Sequence, residues 1–214
     1  MTGQMAVLGA GKTGVGWAAR FALMGWHVRV FDPAPKAKTR LSGAILAARA
    51  CLPALYDVAL PPAGAITYHN SLAEAVSGVD WVQDGLPDRL ALKRKMYQAV
   101  QASLAENAII AARSKSADAD ELQDCATRPE QIVTVAAEGP IWLSPVCGVA
   151  GGAEDAGAGD DQGPVDLAKH WNARLGGARP GATSYRAVAG NGGCGFAHLK
   201  GAERRWDWGD AGGA

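Results

Sequence analysis

Short apolar runs alternate with longer stretches of helical periodicity through the first 150 or so residues. Met5–Leu8 is apolar and runs into Gly9-Ala10-Gly11. Gly14–Met24 then carries Val15, Ala18, Ala19, Ala22 and Leu23 at near-helical spacing, with Gly25 placed to stop the helix. Val28–Phe31 reads as a second strand, closed by Asp32-Pro33. A helical pattern from about Pro35 to Leu52 puts Leu41, Ile45 and Ala48 on one face, and Pro53 and Pro61-Pro62-Ala63-Gly64 break it. Ile66–Tyr68 is a candidate short strand, and Ser71-Leu-Ala-Glu74 has the spacing of a capping box. Trp81–Gln83 reads as a strand. Leu90–Leu104 reads as an amphipathic helix with Leu92, Met96, Ala99 and Val100 inward. Ala108–Ala111 and Ile132–Val135 are further apolar runs, separated by a helical Asp118–Ala126. Strand and helix in regular alternation predict an α/β fold, a Rossmann-type doubly wound, mostly parallel sheet with helices on both faces.

Beyond about Gly151 the pattern stops. Residues 151–214 hold 16 of the 28 glycines, no isoleucine, two valines (Val165, Val188) and three leucines (Leu167, Leu175, Leu199). So little aliphatic side chain does not build a second core against the entropy of ordering the segment. The expected organisation is therefore a folded domain over residues 1–152 and an irregular, Gly-rich tail over 153–214. Within the tail only Asp166–Leu175 has a helical pattern.

Composition narrows the function classes. The formal net charge is zero, with 21 basic and 21 acidic residues and no basic stripe, so nothing draws the chain to nucleic acid or anionic lipid. No apolar run reaches the ~20 residues of a membrane span, and the N-terminus lacks the signature of a signal peptide. A cytoplasmic location is the expectation. Cys51, Cys125, Cys147 and Cys194 show no CxxC spacing and no accompanying histidine, which predicts buried, reduced thiols and no metal site.

The chemistry lies in Gly9-Ala10-Gly11-Lys12-Thr13-Gly14, a G-x-G-x-x-G that follows a strand and opens a helix. Gly9 permits the tight turn, Gly11 lets the backbone approach a pyrophosphate, and Gly14 lets the helix pack on the strand. The helix N-terminus supplies N–H groups to the phosphates. Asp32, 18 positions after Gly14, is placed to accept hydrogen bonds from an adenosine 2′-OH, which favours NAD over NADP. The alternative for Asp32 is a cap on the turn before Pro33. Gly11-Lys12-Thr13 also mimics the end of a P-loop, but Ala6 stands where that motif needs glycine, and Val7 and Leu8 belong to a strand.

GAGKTGVGWAARFALMGWHVRVFDP, SLAEAVSGVDWVQDGLPDRLALKRKMY and ATRPEQIV occur in this order. Together they resemble the N-terminal domain of 3-hydroxyacyl-CoA dehydrogenases, and GWAARF looks most like the L-carnitine dehydrogenase branch. The resemblance implies an NAD-dependent oxidoreductase that transfers hydride from a 3-hydroxy group of a small substrate, an acyl-CoA or carnitine. It also implies that Asp88 and Lys93, at the family's acid-x4-Lys spacing, contribute to the cofactor site, the alternative being a helix-start acid with an exposed lysine.

The family's catalytic set is a His base, a Glu that orients it, a Ser and an Asn. At the matching positions this chain has Ala136, Gly148, Lys115 and Gly139. No catalytic residue is assigned in their place. Lys115 and Glu138 are the candidate substitutes for the base, the alternative for both being a solvated surface charge, and His27, His69, His170 and His198 lie outside any motif. The resemblance further implies a second, helical domain that completes the substrate cleft and the dimer. Its Pro-Gly-Phe-x-x-Asn-Arg block does not occur here, and the tail reads as a degenerate or out-of-frame continuation. Two functions stay open: an oxidoreductase of this lineage, and a non-catalytic NAD-binding or partner-binding domain.

Overall fold

The structure, a computed structural model, describes residues 3–55, 59–137, 140–142 and 147–150. Seven strands form one sheet: β1 (Gln4–Leu8), β2 (His27–Phe31), β3 (Ile66–His69), β4 (Trp81–Asp84), β5 (Ile109–Ala112), β6 (Ile132–Ala137) and β7 (Cys147–Ala150). Their order is β3-β2-β1-β4-β5-β6-β7. The first six are parallel, and β7 returns antiparallel along β6. The helices are α1 (Lys12–Leu23), α2 (Ala37–Cys51), α3 (Leu72–Val76), α4 (Leu90–Gln101) and α5 (Ala119–Gln123). This is the doubly wound arrangement predicted from the alternating pattern, with β7 as an addition. The expected Asp166–Leu175 helix and the rest of the tail lie outside the described residues.

Alternation along the strands divides the core in two. Met5 and Val7 of β1 face α1 and α2, in a cluster with Val28, Val30, Trp81, Phe21, Leu41 and Leu52. Ala6 and Leu8 face the other way, packing with Val76, Val82, Tyr97, Val100, Ile110 and Ile132. A strand buried on both sides reads as a continuous apolar run, as Met5–Leu8 does. α1 ends where Gly25 takes a φ of 88°, a conformation open to glycine at no steric cost. α5 starts with a full capping box, in which Asp118 accepts from the Glu121 N–H and Glu121 accepts from the Asp118 N–H.

Two expectations need correction. The inward positions of α4 are Lys93, Tyr97, Val100 and Gln101, whereas Leu92 and Met96 are half-buried and Ala99 is exposed. The helix is rotated because Lys93 and Tyr97 reach a buried carboxylate on β4, a polar attraction that an apolar pattern does not register. Cys51 and Cys125 are free as expected, but exposed rather than buried, since each lies at the end of a helix on the outer surface.

The ATRPEQIV block has a structural job. Arg128 donates to the carbonyls of Gln101 and Leu104, satisfying the C-terminal end of α4. Gln131 donates to the Ala105 and Glu106 carbonyls. These bonds fix where β6 enters the sheet.

Candidate functional site

The carboxyl ends of β1, β2 and β4 converge on the glycine loop. In open α/β sheets this edge, where strand order reverses between β1 and β4, is where ligands bind. Gly9 sits at φ 89°, and its N–H donates to the Phe31 carbonyl at 2.8 Å. A Cβ on Gly14 would lie 1.9 Å from the Gly9 carbonyl oxygen, so only glycine lets α1 start this close to the strand. A Cβ on Gly11 would meet only the Gly85 carbonyl, at 3.9 Å, and would otherwise fill the open space in front of the loop. Gly9 thus makes the tight turn, Gly14 allows the close packing of α1, and Gly11 leaves the front of the loop open.

Gly11 is the N-cap of α1 and has no side chain with which to cap it. The N–H groups of the first turn are left for an outside acceptor. Ala10 is buried behind them, Thr13 is half-buried, and Lys12 is exposed in the first turn, which holds no acidic residue. A cation there opposes the helix dipole, and an anionic ligand offsets that conflict. The cradle, the bare helix end and the lysine fit a pyrophosphate.

Asp32 closes the loop from the β2 side. Its Oδ2 accepts from the Ala10 N–H at 2.6 Å and from Arg40 at 3.2 Å, and its Oδ1 accepts from the Ala34 N–H at 2.7 Å. It thus caps the turn around Pro33, as the alternative reading has it, and also faces the glycine loop. Arg40 was not anticipated. It comes from α2 and also donates through Nε to the Ala10 carbonyl at 2.8 Å.

Gly85 was also missed. It follows β4, and its N–H donates to the Leu8 carbonyl at 2.8 Å. A Cβ on it would stand 2.4 Å from the Gly9 carbonyl. The signal available was its place directly after a strand and before Leu-Pro-Asp.

Asp88 and Lys93 lie on the next loop and diverge in role. Asp88 is exposed and accepts from the Ser114 hydroxyl at 2.8 Å and the Lys115 N–H at 2.9 Å. Burial pushes its carboxyl up, but the Lys115 and Ser114 hydrogen bonds, the Lys93 charge and Ser116 outweigh this and hold it below the ordinary aspartate value. Lys93 is fully buried, so the exposed-lysine alternative does not hold. Its Nζ donates to Asp84 and, at 2.8 Å, to the Arg113 carbonyl. Asp84 also accepts from the Tyr97 hydroxyl at 2.6 Å and the Leu86 N–H at 2.7 Å. Burial and the Asp84 charge push the Tyr97 phenol well above its usual range. This network joins β4, α4 and the end of β5 beneath the site.

The positions that match the family's His and Glu are direct partners across β6 and β7, Ala136 opposite Gly148. A methyl group and a hydrogen stand there. Lys115 is exposed, with its backbone tied to Asp88. Glu138 and Gly139 lie outside the described residues. Among those described, no group of His, Cys, Asp or Glu is placed to hold a metal ion, and no helix is long and apolar enough to cross a membrane.

Fold and loop together define a dinucleotide-binding α/β domain. The family model "3-hydroxyacyl-CoA dehydrogenase, NAD binding domain" matches residues 4–157, and the chain belongs to that family. It is 43% identical over 141 residues to an L-carnitine dehydrogenase/betainyl-CoA thioesterase of Ruegeria pomeroyi, covering 66% of this chain and 29% of the relative. A protein of the same description from Agrobacterium fabrum is 33% identical over 179 residues, covering 81% of this chain and 37% of the relative. The chain therefore spans about a third of the length of these curated relatives. Among solved structures, a 5-formyl-3-hydroxy-2-methylpyridine 4-carboxylic acid 5-dehydrogenase, described as an NAD+-dependent dismutase, superposes with a TM-score of 0.67 at 28% identity. That match covers 82% of this chain and 56% of the other. The cofactor of this domain is NAD.

Proposed function

We propose that this chain binds NAD(H) and does not itself carry out the family's alcohol oxidation. The observation that carries the reading is the glycine loop with its bare helix end at the carboxyl edge of the sheet, in a chain whose β6 and β7 pair Ala136 with Gly148. Gly9, Gly11, Gly14 and the start of α1 take the pyrophosphate, with Ala10, Lys12 and Thr13 around it. Asp32 takes the adenosine ribose. Asp88 would contribute to the cofactor site by holding the neighbouring loop through its Ser114 and Lys115 bonds. Lys93 acts beneath it, through Asp84 and the Arg113 carbonyl. When bound, the nicotinamide accepts or donates a hydride.

Oxidation of a secondary alcohol also needs a group to take the hydroxyl proton. An imidazole held by a carboxylate does this well, because it titrates near neutrality and its tautomer is fixed. A methyl group facing a glycine supplies neither function. Loss of a general base typically costs about 100- to 10,000-fold.

The names of the relatives favour a second reading, an active dehydrogenase acting on L-carnitine or a 3-hydroxyacyl-CoA. One experiment separates the two. The protein is first shown to bind NADH. It is then mixed with NAD and either L-carnitine or 3-hydroxybutyryl-CoA, and absorbance at ~340 nm is followed, where NADH formation reports hydride transfer. Binding without NADH production is expected. Steady production, abolished by Lys115→Ala, would establish the second reading and assign its base.

A further inference from the structure

We propose that Arg40 opens the adenosine end of this site to a dinucleotide carrying a 2′-phosphate, so that NADP(H) binds alongside NAD(H). This rests on the nucleotide-binding reading above and extends it to cofactor choice.

The argument starts from the bonding capacity of Asp32. A carboxylate offers about four acceptor sites. Two on Oδ2 are used by the Ala10 N–H and Arg40, and one on Oδ1 by the Ala34 N–H. One remains for a ribose hydroxyl. An isolated acid at this place repels a 2′-phosphate, which carries close to two negative charges near neutral pH (about −1.5 to −2 for phosphate monoesters). Asp32 is not isolated. The Arg40 guanidinium lies 3.2 Å from it and opposes its charge, while the Asp32 side chain is only 10% exposed and that of Arg40 is 39% exposed.

Geometry also leaves Arg40 free to bind. A guanidinium has five N–H donors in a planar fork. Arg40 spends one on the Ala10 carbonyl and one on Asp32. No other acceptor for it occurs among the described residues. The outer edge of the fork therefore stands beside the ribose-reading acid with unspent donors, and a planar guanidinium edge suits bidentate capture of phosphate. Lys36, Lys38 and Arg40 fall within five residues that contain no acid, which raises the local positive potential. Exclusion of a 2′-phosphate by Asp32 alone is thus offset by a residue eight positions further on.

The test is a pair of titrations of the whole chain, with NADH and with NADPH, at low salt and followed by tryptophan emission. Wild type is expected to bind NADPH within about tenfold of NADH, with NADPH affinity falling more steeply as salt is added. Arg40→Gln is expected to weaken NADPH at least about tenfold more than NADH, the cost of one to two charge-assisted hydrogen bonds. Arg40→Lys, which keeps the charge but not the fork, should fall between them and guards against a folding defect in the glutamine variant. Equal weakening of both nucleotides by Arg40→Gln would overturn the proposal, leaving Arg40 as a brace for the loop. An unchanged ratio would overturn it as well. If wild type binds neither nucleotide, the nucleotide-binding reading itself falls, a distinguishable outcome.

Discussion

Replacing Lys93 by methionine removes an ammonium group while keeping a similar apolar volume. Both Lys93 and Asp84 are fully shielded from solvent. Removal of one partner from such a pair typically costs about 3–5 kcal/mol, because the other charge stays buried without compensation. Here Asp84 would keep two donors, the Tyr97 hydroxyl and the Leu86 N–H. The Arg113 carbonyl would lose the bond it accepts from Nζ. The retained donors place the expected loss near the lower end, at roughly 3 kcal/mol. With urea slopes of about 1–3 kcal/mol/M, the unfolding midpoint should fall by about 1–3 M, with the slope unchanged. Far-UV circular dichroism against urea measures this. Lys93→Met combined with Asp84→Leu and Tyr97→Phe should recover part of the loss, since no charge or hydroxyl is then stranded, while the Leu86 N–H and the Arg113 carbonyl stay without their side-chain partners. A single-variant loss below about 1 kcal/mol would refute a buried network. A loss of NADH affinity without a loss of stability would instead make Lys93 a direct cofactor contact.

Other outcomes follow from the same geometry. Gly14→Ala should abolish NADH binding, because its Cβ would sit 1.9 Å from the Gly9 carbonyl and α1 would have to move; isothermal titration calorimetry reads this directly. The raised Tyr97 phenol gives a signed pH effect. Below the unfolded tyrosine value of about 10 its contribution is whole, and it is lost as pH climbs from there toward the higher native value. Urea unfolding between about pH 9 and 11 should therefore show falling stability, and Tyr97→Phe should flatten that slope.

What the sequence disclosed depended on how local the signal was. The glycine loop and Asp32 belong to one βαβ unit, so spacing alone placed them. The parallel, doubly wound character of the sheet followed from alternation of strand and helix, while the strand order is given by the structure. The inward face of α4 did not, because Lys93 and Tyr97 are drawn inward by Asp84 on another strand, and a period search counts both as surface-compatible. Arg40 escaped for a similar reason: its contacts reach the Ala10 carbonyl across 30 positions and Asp32 from a separate helix. Gly85 needed knowledge of what packs against it. Strand β7 is four residues long with a single β-branched side chain, and the edge of β6 supplies its reason to be extended. Ala136 and Gly148 carry no chemistry of their own. Their significance depends on the matched family positions and on the register that sets them face to face.

An NADH titration of the purified chain, followed by quenching of its tryptophan emission, tests the nucleotide site most directly. Saturable binding that NAD competes away is the predicted result. Absence of saturable binding at millimolar NADH, by a chain whose circular dichroism shows it folded, would contradict the account.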